Sequence, residues 1–82
     1  MAIAEDKNGH FWITTIDNGI FELDIKGKQS KLYNYTKENS GLPSDYCVNL
    51  VCDTSGFLWI GTLNGLVKFD TKTKKKIGRA HV

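Results

Sequence analysis

Asp53-Thr54-Ser55-Gly56-Phe57-Leu58-Trp59-Ile60-Gly61-Thr62 decides the fold, because it repeats Asp6-Lys7-Asn8-Gly9-His10-Phe11-Trp12-Ile13-Thr14-Thr15. Asp, Gly, Trp, Ile and the last Thr recur at a constant offset of 47 residues. After one extra residue in the first copy, Asn18-Gly19-Ile20-Phe21-Glu22-Leu23-Asp24 aligns with Asn64-Gly65-Leu66-Val67-Lys68-Phe69-Asp70 at an offset of 46. Upstream, Ile3-Ala4 matches Leu50-Val51 in apolar character, so the two copies cover most of the chain. A period in the high forties fits four-stranded propeller blades better than two-helix repeats.

The local pattern is that of strands. His10 to Thr15 and Phe57 to Thr62 are aromatic and β-branched, with Asn8-Gly9 and Ser55-Gly56 before them and Asn18-Gly19 and Asn64-Gly65 after. Asn-Gly favours a type I′ turn, in which both central residues have positive φ, so each repeat is expected to contain a hairpin. The expected strands are Ile3 to Asp6, His10 to Thr15, Ile20 to Asp24 and Lys31 to Tyr35, then Tyr46 to Cys52, Phe57 to Thr62, Leu66 to Asp70 and a segment near Lys76 to Val82. That last segment, with Gly78-Arg79-Ala80, does not echo Lys31 to Tyr35, and the second blade is expected to end raggedly. The expectation is an all-β fold: two four-stranded antiparallel β-propeller blades, as a fragment of a larger or self-assembled propeller. Residues 1–36 form the first blade, 37–45 the connection with the only proline, Pro43, and 46–82 the second blade.

Asp53-x-x-Gly56-x-Leu58-Trp59-Ile60-Gly61-Thr62-x-x-Gly65-Leu66-x-x-Phe69-Asp70 resembles the two-component regulator propeller repeat. Gly41-Leu42-Pro43-Ser44-Asp45-Tyr46-Cys47-Val48-x-x-Val51 is similar to the stretch that precedes this motif in the same family, and the resemblance spans roughly Ile3 to Asp70. The first copy departs from the pattern at Phe11, Thr14 and Ile20-Phe21. The resemblance implies the periplasmic sensor region of a hybrid two-component histidine kinase, in which oligosaccharide binding is relayed across the membrane. It also implies many more blades than two. No kinase motif stands in this chain, and a targeting signal, for an exported protein, would lie outside this segment.

Composition agrees with a folded chain: 82 residues, 40% hydrophobic and 24% charged, with 8 Gly. A domain of this size buries only roughly 60% of its unfolded surface, so its own core is thin. The net charge of +2 excludes a nucleic-acid partner as the main reading, although Lys68, Lys72, Lys74, Lys75, Lys76 and Arg79 cluster late in the chain as a solvated terminus. No apolar run approaches a membrane span, so no membrane contact is expected. Cys47 and Cys52 stand five positions apart, which on one continuous strand puts them on opposite faces as free thiols.

No residue is assigned a catalytic, cofactor or metal role, no cofactor is expected, and ligand contacts are left unassigned. Trp12 and Trp59 could stack on sugar faces, but their apolar neighbours favour packing between blades. Asp6 and Asp53, each three residues before a Gly, read as turn-forming carboxylates bonding backbone N–H groups, without the spaced carboxylates of a calcium loop. His10 and His81 lack the partners of a triad, and Asn34-Tyr35-Thr36 is a chance glycosylation sequon. The functional surface is expected on the loops Thr15 to Asn18, Leu63-Asn64 and Lys37 to Ser40.

The leading reading is a non-catalytic sensor or ligand-binding module. Its partners are other propeller blades and an oligosaccharide. The alternative is a self-assembling unit, three or four copies of which close a homo-oligomeric ring; a weaker one is a fragment of a propeller lyase or hydrolase.

Overall fold

A computed structural model describes residues 1–80. Eight strands and one helical turn follow one another: β1 Ile3–Glu5, β2 Phe11–Thr14, β3 Ile20–Lys26, β4 Gln29–Tyr35, α1 Lys37–Ser40, β5 Cys47–Cys52, β6 Phe57–Thr62, β7 Gly65–Asp70 and β8 Lys75–Ala80. Two four-stranded antiparallel sheets result, β1-β2-β3-β4 and β5-β6-β7-β8. Each is a propeller blade. The ragged end does not occur: β8 pairs with β7 from Asp70↔Lys75 to Leu66↔Ala80, with one irregularity at Lys68/Phe69. His81 falls outside the described residues.

Alternation along the strands gives each blade two faces. Trp12, Thr14, Ile20 and Glu22 lie on the face of the first blade turned toward the second, and all are buried. Leu50, Leu58, Ile60, Val67 and Phe69 meet them from the second blade. Trp12, Tyr35 and Phe69 form the aromatic centre of this seam, with ring centroids 5.7 to 5.8 Å apart. Aromatic contacts of this kind add about 0.5–1.5 kcal/mol each beyond the area they bury.

Three local expectations are corrected. No Asn has positive φ; among the non-glycine residues only Lys74 does, while Gly9, Gly19 and Gly65 carry it. A type I′ turn is thereby excluded, and each Gly takes the left-handed position after an ordinary turn. The connection after Tyr35 is not all loop. Its helical turn α1 is held by Asn39, whose Oδ1 accepts from the Thr36 backbone N–H at 2.8 Å, and it ends at Gly41 with φ of 80°.

The third correction concerns the cysteines. A bulge between Cys47 and Asn49 breaks the alternation of β5, so Cys47 and Cys52 both pack on the seam instead of facing apart. Both are free thiols. Burial and the neighbouring Asp45 push the Cys47 thiol up to about 11.

Candidate ligand-binding rim

The three loops singled out in the sequence come together on one rim, through main-chain hydrogen bonds. Thr15 to Gly19 joins β2 to β3, and Leu63-Asn64 joins β6 to β7. The Cys47 N–H donates to the Thr15 carbonyl at 2.8 Å and the Gly19 N–H to the Asp45 carbonyl at 2.9 Å. On the other side, the Leu63 N–H donates to the Tyr46 carbonyl at 3.0 Å and Asn64 Nδ2 to the Pro43 carbonyl at 2.9 Å. The Lys37 N–H donates to Asp45 Oδ1 at 2.9 Å, which ties α1 to the same segment. Tyr46 therefore sits between the two turns, where the sequence alone did not place it.

The local chemistry of both turns is the same. Thr15 Oγ1 donates to the Gly19 carbonyl at 2.7 Å and accepts from the Asn18 N–H at 2.9 Å. Thr62 Oγ1 donates to the Gly65 carbonyl at 2.8 Å and accepts from the Asn64 N–H at 3.1 Å. The repeated threonine thus fixes each turn from within. Gly19 has φ of 70°, and a Cβ there would stand 2.2 Å from the Tyr35 carbonyl oxygen.

Held this way, the rim presents apolar and polar groups to solvent side by side. Ile16, Tyr46 and Leu63 are 60%, 41% and 70% exposed. Asp17 and Asn18 adjoin Ile16, with Asn18 Nδ2 donating to Asp17 Oδ1 at 3.1 Å. The sequon asparagine is already committed: Asn34 Nδ2 donates to the Asn18 carbonyl at 2.8 Å and to the Ile20 carbonyl at 3.1 Å.

At the opposite end, the two aspartates behave as turn-forming carboxylates. Asp6 Oδ1 accepts from the Asn8 and His10 N–H groups at 2.9 and 3.0 Å, and Asp53 Oδ1 from those of Ser55 and Phe57 at 2.9 and 3.0 Å. Each second oxygen takes an indole N–H, Trp12 Nε1 at 2.8 Å and Trp59 Nε1 at 2.9 Å. The Asp–Trp pairing is what the sequence reading missed, and its signal was the recurrence of both residues at the same offset. Burial raises the Asp6 carboxyl, but the indole and backbone donors more than offset this and hold it below the usual range. For Asp53, the Phe57 N–H and the Trp59 indole lower it.

Only one of the two tryptophans lies between blades. Trp12 is fully buried there, whereas Trp59 is half-buried on the outer face of the second blade, with Lys68 Nζ 5.5 Å from its ring.

His10 is part of a polar network around Glu22 at the seam. Its Nδ1 lies 2.5 Å from Glu22 Oε2 and its Nε2 3.4 Å from Asp24 Oδ1. Lys74 Nζ reaches Glu22 Oε2 from the other blade at 2.9 Å, and Tyr35 OH donates to Glu22 Oε1 at 2.8 Å. Burial pushes the Glu22 carboxyl up, and the His10, Lys74 and Tyr35 donors together bring it below its ordinary value. The late basic cluster is therefore divided, with Lys74 drawn to the seam and Lys68 over Phe57 at 4.3 Å.

Asp6, His10 and Glu22 offer ligand atoms within 4.8 Å of one another, the closest approach to a metal set among the described residues. These atoms already serve the Trp12 indole, the Lys74 ammonium and the Tyr35 hydroxyl, so a cation would have to displace protein donors. The arrangement is a structural lock between blades.

With this geometry in view, the comparison with protein families is specific. Residues 41–64 match the family described as two component regulator propeller. That stretch is similar to one repeat of this family, and the similarity covers 24 of the 82 residues. The matched stretch includes the rim segment Gly41 to Tyr46, the whole of β5 and β6, and the turn at Leu63-Asn64. No curated protein matches the chain.

Proposed function

We propose that this two component regulator propeller segment is a non-catalytic ligand-binding part of a sensor, with the Tyr46 rim as its binding surface and a soluble oligosaccharide as its ligand. The observation that carries this reading is Tyr46 itself, an exposed aromatic whose carbonyl accepts from the Leu63 N–H of the second-blade turn and whose neighbours Asp45 and Cys47 bond to the first-blade turn. An exposed aromatic face on the same rim as polar groups such as Asp17 and Asn18 suits a sugar ring, which is apolar on its faces and polar at its edge. Rigid support for exposed loops is also the usual setting for binding residues. The family supports a role in two-component signalling, and on this reading the sensor faces the periplasm.

The test is titration of neutral oligosaccharides into the chain, followed by ¹H–¹⁵N NMR. Shifts confined to residues 15–18, 44–47 and 62–65, lost in Tyr46→Ala with the fold intact, support the reading. Binding elsewhere, or none across a panel of plant and microbial glycans, overturns it.

A further inference from the structure

The two free faces of the blade pair are counterparts of the two faces already packed together. At the internal seam, Ala4, Trp12, Ile20 and Glu22 of the first blade meet Leu50, Leu58, Ile60, Val67 and Phe69 of the second. The repeat offsets carry the first set onto Val51, Trp59, Leu66 and Lys68, which face outward from the second blade. They carry the second set back onto Ile3, Phe11, Ile13, Phe21 and Leu23, which face outward from the first. One molecule therefore exposes both halves of a contact that it already makes once.

We propose that the chain associates head to tail with a second copy of itself, the Ile3–Ile13–Phe21 face of one copy docking on the Val51–Trp59–Leu66 face of the next. The contact is heterologous, so successive copies close into a ring when the rotation permits. Three or four copies would give six or eight blades, within the usual range of about four to eight. Exposure on both faces agrees: Ile3 is 61% exposed where its counterpart Leu50 is 8%, and Val51 is 64% exposed where Ala4 packs against the core.

One charge sets the strength of the new seam. Inside the molecule, Lys74 from the turn before β8 meets Glu22. Between copies, Lys68, the counterpart of Glu22, would instead meet a longer β3–β4 hairpin that carries Lys26, Lys28 and Lys31 around its turn. Like charges weaken this contact relative to the internal one, and Lys68→Glu restores the acidic partner.

The experiment is sedimentation velocity across a concentration series, with circular dichroism confirming the fold of each variant. Wild type is expected to form higher-mass species as concentration rises, and Lys68→Glu to form them at lower concentration. Ile3→Asp and Val51→Asp, at exposed positions on opposite faces, should each lose these species. Mixed together, those two variants should yield a 1:1 dimer and nothing larger, because each retains one working face. A wild type that stays monomeric at its solubility limit overturns the proposal and assigns the faces to other blades. Variants that assemble alone, or fail to pair when mixed, also overturn it.

Discussion

Asp6→Asn tests the main local lock of the fold. The amide oxygen of Asn can still accept from the Asn8 and His10 N–H groups, but its NH₂ then faces the Trp12 indole N–H, donor against donor. Losing a hydrogen bond to a charged group costs about 1.5–3 kcal/mol, and the buried indole gains no water in exchange. The two surviving bonds lose their charge assistance, which roughly halves them and adds about 1 kcal/mol. The total of about 3 kcal/mol is a large share of the roughly 4–12 kcal/mol expected for a domain of this size. At about 4–8 °C per kcal/mol for small domains, the thermal midpoint should fall by roughly 12–24 °C. Thermal unfolding followed by tryptophan fluorescence reads this directly. Asp53→Asn makes the same chemical change in the second blade, where the half-buried Trp59 can turn its N–H to water, and should shift the midpoint much less. Equal shifts for the two variants, or a shift below roughly 4 °C for Asp6→Asn, would refute the reasoning.

Three other outcomes follow from the same contacts. Glu22→Gln leaves Lys74 and His10 without their shared carboxylate and should cost about 2 kcal/mol in urea denaturation, below the 3–5 of a fully buried pair because the Lys74 ammonium is partly exposed. Gly19→Ala should destabilise by about 3 kcal/mol or more, since its Cβ meets the Tyr35 carbonyl, whereas Gly9→Ala has open space and costs only the left-handed strain of about 1–2. Asp6 and Glu22 are both held below their ordinary values of 3.8 and 4.5, so their stabilisation is present above those values and lost as pH falls through the lower folded ones. Urea midpoints should therefore drop steeply below about pH 4, and Asp6→Asn should flatten that drop.

The repeat made the fold legible because a blade is defined by recurring local features: a turn carboxylate, a tryptophan on the second strand, an Asn-Gly after it. Phe57–Thr62 is a strand with the bounds its residues indicate. The cysteines were misread for a physical reason, that alternation holds only where the ladder is regular. The bulge at Val48 turns Cys47 to the same side as Cys52, and nothing in Cys47-Val48-Asn49 announces it. The fourth strand of the second blade forms despite its unrelated sequence, because β7 presents a ladder of unpaired backbone groups that almost any extended segment can satisfy. Tyr46 was invisible as a rim residue because its position depends on two turns distant in sequence.

The two copies also divide the labour of a propeller between constant and variable positions. Asp6 and Asp53, with Trp12 and Trp59, build identical scaffolds of backbone and indole hydrogen bonds. These bonds lie within one blade and are indifferent to its neighbour. Among the positions that look across a seam, the polar and charged ones differ between copies, with His10 replaced by Phe57 and Glu22 by Lys68. Apolar area drives blades together without choosing among them, whereas a buried carboxylate is tolerated only opposite a donor such as Lys74. Folding of each blade is thus specified by what the copies share. Order around the propeller is specified by what they do not share, and exchanging the charges at Glu22 and Lys68 should change which blade sits next to which without unmaking either one.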